Sequence, residues 1–519
     1  MKLAAVSLWV GVWLASAAFA SDLMDAVKKN DVAVVRTMLA AQADVSAKEA
    51  DGSTALHWAA QRDNLAIADV LLAAGADAKA ATRFNITPLS LAATNGSAAM
   101  IERLLAAGVE PDSISVEGQT ALMTAARNGR VEALRVLLAR GAKVNTKEPY
   151  KGQTALMWAA SQGNADAAAL LIEFGAEVTA KSTGGFTPLL FAVRNNHIDA
   201  AKVLLAHGAN VNDVAPDTTS ALGMAVVNAY FEMASVLLDH NANPNAADPR
   251  ASVLHTIAWL RKPGASGSAG VGGTAGGPPM PTGNVTSLEL TKKLLAHGAD
   301  PNIRVEWQER GFDKEGGTAR NPANIELGRH LLTYTGATAF YVAAKNGDAP
   351  LMRLLAEGGA NPTTTNKFGI TPLMVAAGLD TWEGETPGPF TGVSEPERLE
   401  AVKLAVELGN DVNAVADFGD FRMVGDPDYT LLYYPHNMEE LVNLGVGDPR
   451  WSGCTALHGS IISGQASIVK FLVDRGAKVD AKNKLGWTPL MMSRGVFLAN
   501  AKREYPAAEK VLLEAMAKR

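Results

Sequence analysis

One cysteine, Cys454, is all that the 519 residues contain. An internal disulfide is therefore impossible, cysteine-ligated metal clusters and a haem-attachment pair are excluded by count, and any exported fold must hold by packing. Aromatic residues are scarce at 6%, and 47 lysines and arginines nearly balance 53 aspartates and glutamates, for a formal net charge of -6. That balance indicates neither the basic surface of a nucleic-acid binder nor a disordered acidic tail. No G-x-S-x-G elbow, HExxH pair or Walker-type phosphate loop occurs, so catalysis has no motif to rest on. Long apolar runs are missing too, with one exception at the beginning.

There Lys2 precedes LAAVSLWVGVWLASAA, and the small-x-small end Ala18-Phe19-Ala20 precedes the polar SDLMD. This is the order of a signal peptide, with cleavage expected after Ala20. A retained anchor is the competing reading, but the run is short for a span of about 20 residues. The mature chain is expected to be exported, periplasmic or secreted, without stable membrane insertion and without a disulfide-dependent oligomer.

Laid against itself, the chain repeats. TALHWAA begins at 54, TPLSLAA at 87, TALMTAA at 120, TALMWAA at 154, TPLLFAV at 187 and SALGMAV at 220, in steps of 33 or 34. SVLHTIA at 252, TAFYVAA at 338, TPLMVAA at 371, TALHGSI at 455 and TPLMMSR at 488 continue the series, with long steps of 86 and 84. Residues 120 to 145 show one unit whole. Thr120 suits the cap of a first helix, a proline in the next position (Pro88, Pro188, Pro372, Pro489) suits its first turn, and Gly129 breaks the chain between helices. A second helix ends in Leu137-Leu138 before Gly141. One such unit cannot cover its own leucine face, at roughly 1.5 to 3 kcal/mol per buried side chain, so neighbours must stack.

The T-P-L-H opening, the 33-residue period and the GADVN-like close together resemble the ankyrin repeat family, over nearly the whole mature chain. The resemblance implies an all-α solenoid of about 12 helix-turn-helix units with β-hairpin-like fingers and long loop insertions. The expected organisation is a signal peptide at 1–20, a capping unit at 21–53, six regular repeats at 54–251, and further units at 252–337, 338–370, 371–454 and 455–487, closed by a cap at 488–519. Insertions fall at 263–285, rich in glycine and proline, and at 303–336, 379–395 and 414–453, which are aromatic. Long loops in a regular array are uncommon unless functional or disordered, and the three aromatic ones are expected to build one recognition site.

Most histidines have structural readings. His57, His255 and His458 hold the fourth motif position, where the family's histidines hydrogen-bond locally, and His207, His240 and His297 end second helices, where a cation suits the dipole. His330 and His436 lie in insertions without a partner at HxxxH spacing, so no metal and no cofactor is expected. Trp58, Trp158 and Phe191 at the fifth position are read as core-facing, whereas Phe84, Tyr150, Phe368, Trp451 and Trp487 at finger tips are candidate anchors. First-helix ends carry Gln61-Arg62, Thr94-Asn95, Arg127-Asn128, Ser161-Gln162, Arg194-Asn195 and Lys345-Asn346, a row of amides and cations that the family's geometry places in the concave groove.

The resulting expectation is a non-catalytic, exported scaffold that binds another protein, not nucleic acid. Its candidate contact residues are Arg62, Arg127, Arg194, Lys345, Trp307, Phe312, Trp382, Tyr433, Tyr434, His436, Trp451 and Trp487. The alternative is an accessory protein that holds a glycan, peptide or metal in the aromatic insertions.

Overall fold

A computed structural model of the chain describes residues 23–248, 251–261, 281–306, 334–379, 393–417, 452–484, 486–495 and 504–518. Among them every regular element is a helix, and extended pairing is limited to isolated bridges such as Ile114 with Thr120. The helices come as twelve antiparallel pairs among the described residues, each an inner helix, which in all but the first opens at the threonine or serine of the motif, and an outer helix that returns. They form two compact units, Met1–Pro216 and Asp217–Arg519.

In the first unit the pairs are 23–28 with Val32–Ala40, Ala55–Gln61 with Leu65–Ala73, Pro88–Asn95 with Ala98–Ala106, Ala121–Arg127 with Val131–Ala139, Ala155–Gln162 with Ala165–Glu173, and Pro188–Arg194 with Ile198–Ala206. The second unit opens with Ala221–Val227 and Phe231–Asp239 and closes with Pro489–Ser493 and Pro506–Ala517. Between them stand Val253–Arg261 with Ser287–Ala296, Ala339–Lys345 with Ala349–Glu357, Pro372–Ala376 with Glu395–Glu407, and Ala456–Ile462 with Ala466–Asp474.

Local chemistry explains the recurrence. The Thr120 hydroxyl accepts from the Met123 amide at 3.3 Å, and Thr154, Thr187, Thr338 and Thr371 cap their helices in the same way. Each proline of the motif sits in the first turn, where no donor is lost. At the far end Gly141 turns left-handed at φ 88°, which lets the Ala142 amide reach back to the Leu137 carbonyl at 3.0 Å. That leucine, five residues before the closing alanine (Val109 in one unit), is sealed in each such unit: Leu71, Leu104, Leu137, Leu171, Leu204, Leu237, Leu294, Leu355 and Leu472 are all fully buried.

Inner helices pack on inner helices and outer on outer. Ala121–Arg127 lies against Pro88–Asn95 on one side and Ala155–Gln162 on the other, through Ala92, Ala93, Ala125, Ala126, Ala159 and Ala160, none of which is more than 1% exposed. Small side chains permit that close approach, and the leucines of the outer layer fill the space behind.

The fingers close on one backbone pattern. Thr82 donates its amide to the Ile86 carbonyl at 2.9 Å and accepts from Asn85 at 2.9 Å across a three-residue tip. At the insertions the same bonds join Val305 to Ala337 and Gly336, and Ala416 to Cys454 and Gly453, at 2.7 to 2.9 Å. Cys454 is the fully buried exit residue of such a finger, more enclosed than a turn position suggests. Short fingers place an acceptor at the entry residue: the Thr82 hydroxyl, the Glu148 carboxylate and the Asn366 amide oxygen receive tip amides, and the Asn483 amide oxygen receives the exit amide of Trp487. Val305 and Ala416 have no such side chain, and they stand where the tip is replaced by an insertion. Adjacent fingers also join, from Lys367 to Thr335, Asp417 to Phe368 and Lys484 to Ser452, at 2.8 to 3.0 Å.

Deleting 418–451 would leave Asp417, Ser452 and Gly453 as a tip of regular length, with Gly453 at φ 80° in the place of Asn85 at φ 58°. The deletion is expected to keep the helical circular dichroism signal and an unfolding midpoint within a few degrees of the parent. A broad, non-cooperative melt would show that the insertion is part of the stack.

Candidate functional site

In the first unit the inner helices and finger tips present one continuous set of accessible side chains. The exposed large apolar residues here concentrate on the fingers: Phe84 is 61% exposed, Ile114 59%, Tyr150 73% and Val214 48%. Turn tips are ordinarily polar, so exposed rings at two of them, with Ile114 and Val214 exposed at the bases of two other fingers, make a surface that invites a partner. Phe84 and Tyr150 thus lie where the sequence places them. Phe368, in the second unit, does not: its ring is 8% exposed, beneath Lys367 at 5.7 Å. Trp487 is half-buried.

The fifth motif position departs from the core-facing reading. Trp58, Trp158 and Phe191 are only partly buried, because the inner helix is covered on its outer side alone. Arg127 lies over the Trp158 ring at 5.0 Å, Lys28 over Trp58 at 4.6 Å, and Arg194 over the finger residue Phe186 at 5.7 Å. Phe186 in turn packs tilted on Phe191 at 5.7 Å. The pairs of Lys28 with Trp58 and Arg127 with Trp158 join residues about one repeat apart, which a motif read within single units does not reveal. Arg62, Arg127 and Arg194 are exposed at the inner-helix ends, as expected.

Some of the amides beside them are already engaged. Asn95 donates to the carbonyls of Ala60 and Gln61 at 3.1 and 2.8 Å, Asn164 to those of Ala126 and Arg127 at 2.9 Å, and Asn195 to that of Ser161 at 2.8 Å. Arg130 reaches Thr94 at 3.2 Å and His197 reaches Ser161 at 3.0 Å. Each repeat therefore caps the unsatisfied carbonyls of the preceding inner helix. Asn95 and Asn195 thus serve the stack, whereas Gln61, Asn128 and Gln162 are exposed beside the arginines.

In the second unit Lys345 stands 4.5 Å over Tyr334, a 4%-exposed ring set edge-on to Trp259 at 6.2 Å. It closes the finger base instead of facing a groove. Arg261 binds the nearly inaccessible Asp348 carboxylate through two bonds of 2.6 and 3.0 Å, while Asp348 also caps Ala349–Glu357. Asn346 repeats the carbonyl cap, donating to Ala258 at 3.0 Å. Trp307, Phe312, His330, Trp382, Tyr433, Tyr434, His436 and Trp451 lie outside the described residues. Their anchors do separate: 307–333 and 418–451 leave from fingers at inner-helix starts, whereas 380–392 leaves from the end of Pro372–Ala376.

Among the described residues no group of three or more histidines, cysteines or carboxylates stands close enough to hold a metal, and no helix is long and apolar enough to cross a membrane. His207 and His297 end their helices by bonding to the carbonyls of Val203 and Lys293 at 2.8 Å.

The family model for ankyrin repeats in three copies matches residues 23–115, 89–182 and 178–248, and the single ankyrin repeat model matches 452–484. A mitochondrial disaggregase from Bos taurus is 32% identical over 160 residues, 30% of this chain, which spans 21% of that protein's length. A crystal structure of the human ASB11 ankyrin repeat domain aligns with a TM-score of 0.40 at 26% identity, over 43% of this chain and 98% of that one.

The motif histidines rivet successive repeats. His57 Nδ1 accepts from the Thr54 amide at 3.1 Å, which leaves the proton on Nε2 to donate to the Ile86 carbonyl at 3.0 Å. His458 bonds likewise to Thr455 and Trp487, and His255 joins Ser252 to Ala337 across the insertion. Burial pushes His255 and His458 from 6.5 down to about 4, against the opposing pull of those carbonyls, and lowers His57 in the same way. Unfolded imidazoles thus bind protons between pH 6.5 and about 4 while folded ones do not, so stability falls as pH drops through that window. The interval corresponds to about 3 kcal/mol per histidine. Urea midpoints at pH 7.5 and 4.5 are expected to fall less in a His255→Asn, His458→Asn double variant than in the parent. An unchanged pH dependence would contradict the buried neutral assignment.

Proposed function

This chain belongs to the ankyrin repeat family, and we propose that it is a non-catalytic scaffold that takes its partner protein on the inner-helix and finger face of residues 23–216. Ankyrin repeats bind other proteins, so the coarse activity follows from the fold. The placement rests on one observation, the exposed apolar residues Phe84 and Tyr150 at finger tips and Ile114 and Val214 at the bases of two other fingers. Buried aromatic anchors dominate interface energies, at about 2 kcal/mol or more each. An aromatic side chain more than 60% exposed on a rigid finger is preorganised for that role.

Export to the periplasm or the exterior is part of the same reading, carried by Lys2, the apolar run after it and Ala18-Phe19-Ala20. A single buried cysteine agrees with work in an oxidising compartment, because no exposed thiol is offered for exchange.

A photoreactive phenylalanine analogue at Phe84 or Tyr150 is expected to crosslink to one partner protein in the native compartment. The same group at Val34, exposed on the outer helix Val32–Ala40, is expected to give none. Phe84→Ser and Tyr150→Ser should each weaken capture of that partner by roughly tenfold or more with the unfolding midpoint unchanged. Equal crosslinking from Val34, or none from either finger, would refute the placement.

A further inference from the structure

The charges of the first unit are sorted by face. On the outer helices Arg103 pairs with Asp69 at 2.6 Å, Arg140 with Glu102, Arg135 with Glu132 and Lys202 with Asp199. On the inner face Arg62, Arg127 and Arg194 make no ion pair among the described residues. Local sequence explains the difference. The helices Ala55–Gln61, Pro88–Asn95, Ala121–Arg127, Ala155–Gln162 and Pro188–Arg194 carry no carboxylate, and the turns that follow them carry only Asp63. The face is therefore cationic on a chain whose net charge is -6.

Its arginines are also set in a regular spacing. They end the first, third and fifth inner helices that follow the cap; Trp158 lies on the fourth, between Arg127 and Arg194, while Trp58 and Phe191 share the helices that Arg62 and Arg194 end. Packed helices lie roughly 8 to 10 Å apart, so arginines on alternate repeats stand about 16 to 20 Å from one another. An extended chain covers that distance in about five or six residues. A guanidinium stacked on a ring, as Arg127 is on Trp158, keeps its edge donors free for a carboxylate and is held in place without a salt bridge.

From this arrangement we infer that the inner face of residues 55–197 docks an extended, acidic segment of about a dozen residues from the partner protein, with carboxylates on the arginines and apolar side chains against the rings beside them. The inference rests on the protein-binding reading above and narrows it to one chemistry. A peptide suits the face better than a nucleic acid. Three separated cations neutralise few phosphates of a nucleic acid, whereas carboxylates spaced along a peptide can be matched to them one by one.

Fluorescein-labelled twelve-residue peptides that alternate glutamate with leucine or tyrosine test the assignment on the full mature chain, beside glutamine and lysine counterparts. The glutamate peptide is expected to bind at least tenfold tighter than either at low salt, and to weaken as salt rises. Arg62→Gln, Arg127→Gln and Arg194→Gln together should abolish that preference, whereas Arg103→Gln with Arg140→Gln on the outer face should leave it intact. Equal binding of the three peptides would overturn the inference. So would an undiminished preference in the triple variant, or stronger displacement by a twelve-nucleotide thymidine oligomer than by unlabelled glutamate peptide. If the peptide preference fails while crosslinking at Phe84 persists, the acidic chemistry is wrong and the protein-binding face stands. Loss of crosslinking as well would remove both.

Discussion

Everything in this chain depends on a leucine face that no repeat can cover by itself. Leu137 is fully buried only because the outer helices on either side of Val131–Ala139 close over it, and Leu104 and Leu171 are enclosed in the same way. Two polar devices fix the register of that packing. A histidine in the opening motif reaches the carbonyl just before the next motif, and an asparagine, arginine or histidine of the following repeat caps the inner-helix end. Both act between nearest neighbours. Stability is then approximately a sum of local terms, and the chain tolerates long additions wherever they leave the neighbour contacts alone.

The insertions obey that condition. At Val305 and Ala416 the finger is closed by the same backbone bonds as at Thr82, so a tip of any length satisfies the stack. Loop closure adds only about 0.6 kcal/mol for each doubling of loop length. The bond from His255 to Ala337 forms across two of these additions, 263–285 and 303–336. A scaffold with local energetics leaves its surface free to diverge, and the first unit shows how it has done so: cations paired on the outside, unpaired and stacked on rings within.

The helices, their caps and their order were legible from the threonine and proline openings and from the glycine closes, because each rests on backbone chemistry within five residues. Contacts made across a repeat were not. Trp158 reads as core-facing when its own unit is considered alone, yet Arg127 of the previous unit holds its ring at an accessible face. Asn95 and Asn195 read as a polar strip, yet their donors belong to carbonyls some 34 residues earlier. Phe368 reads as an exposed tip, but the adjoining finger covers it through the bond from Asp417. A 33-residue ladder read vertically, with position i beside i+33, would have found the first two.

The nearest-neighbour character of the fold is its central physical claim, and hydrogen exchange on a Leu137→Ala variant tests it most directly. The substitution should cost about 2 to 5 kcal/mol at its own site. Faster exchange is predicted in Val131–Ala139 and in the flanking helices Ala98–Ala106 and Ala165–Glu173, with protection in Ala466–Asp474 unchanged. A uniform loss of protection over all repeats would contradict the account.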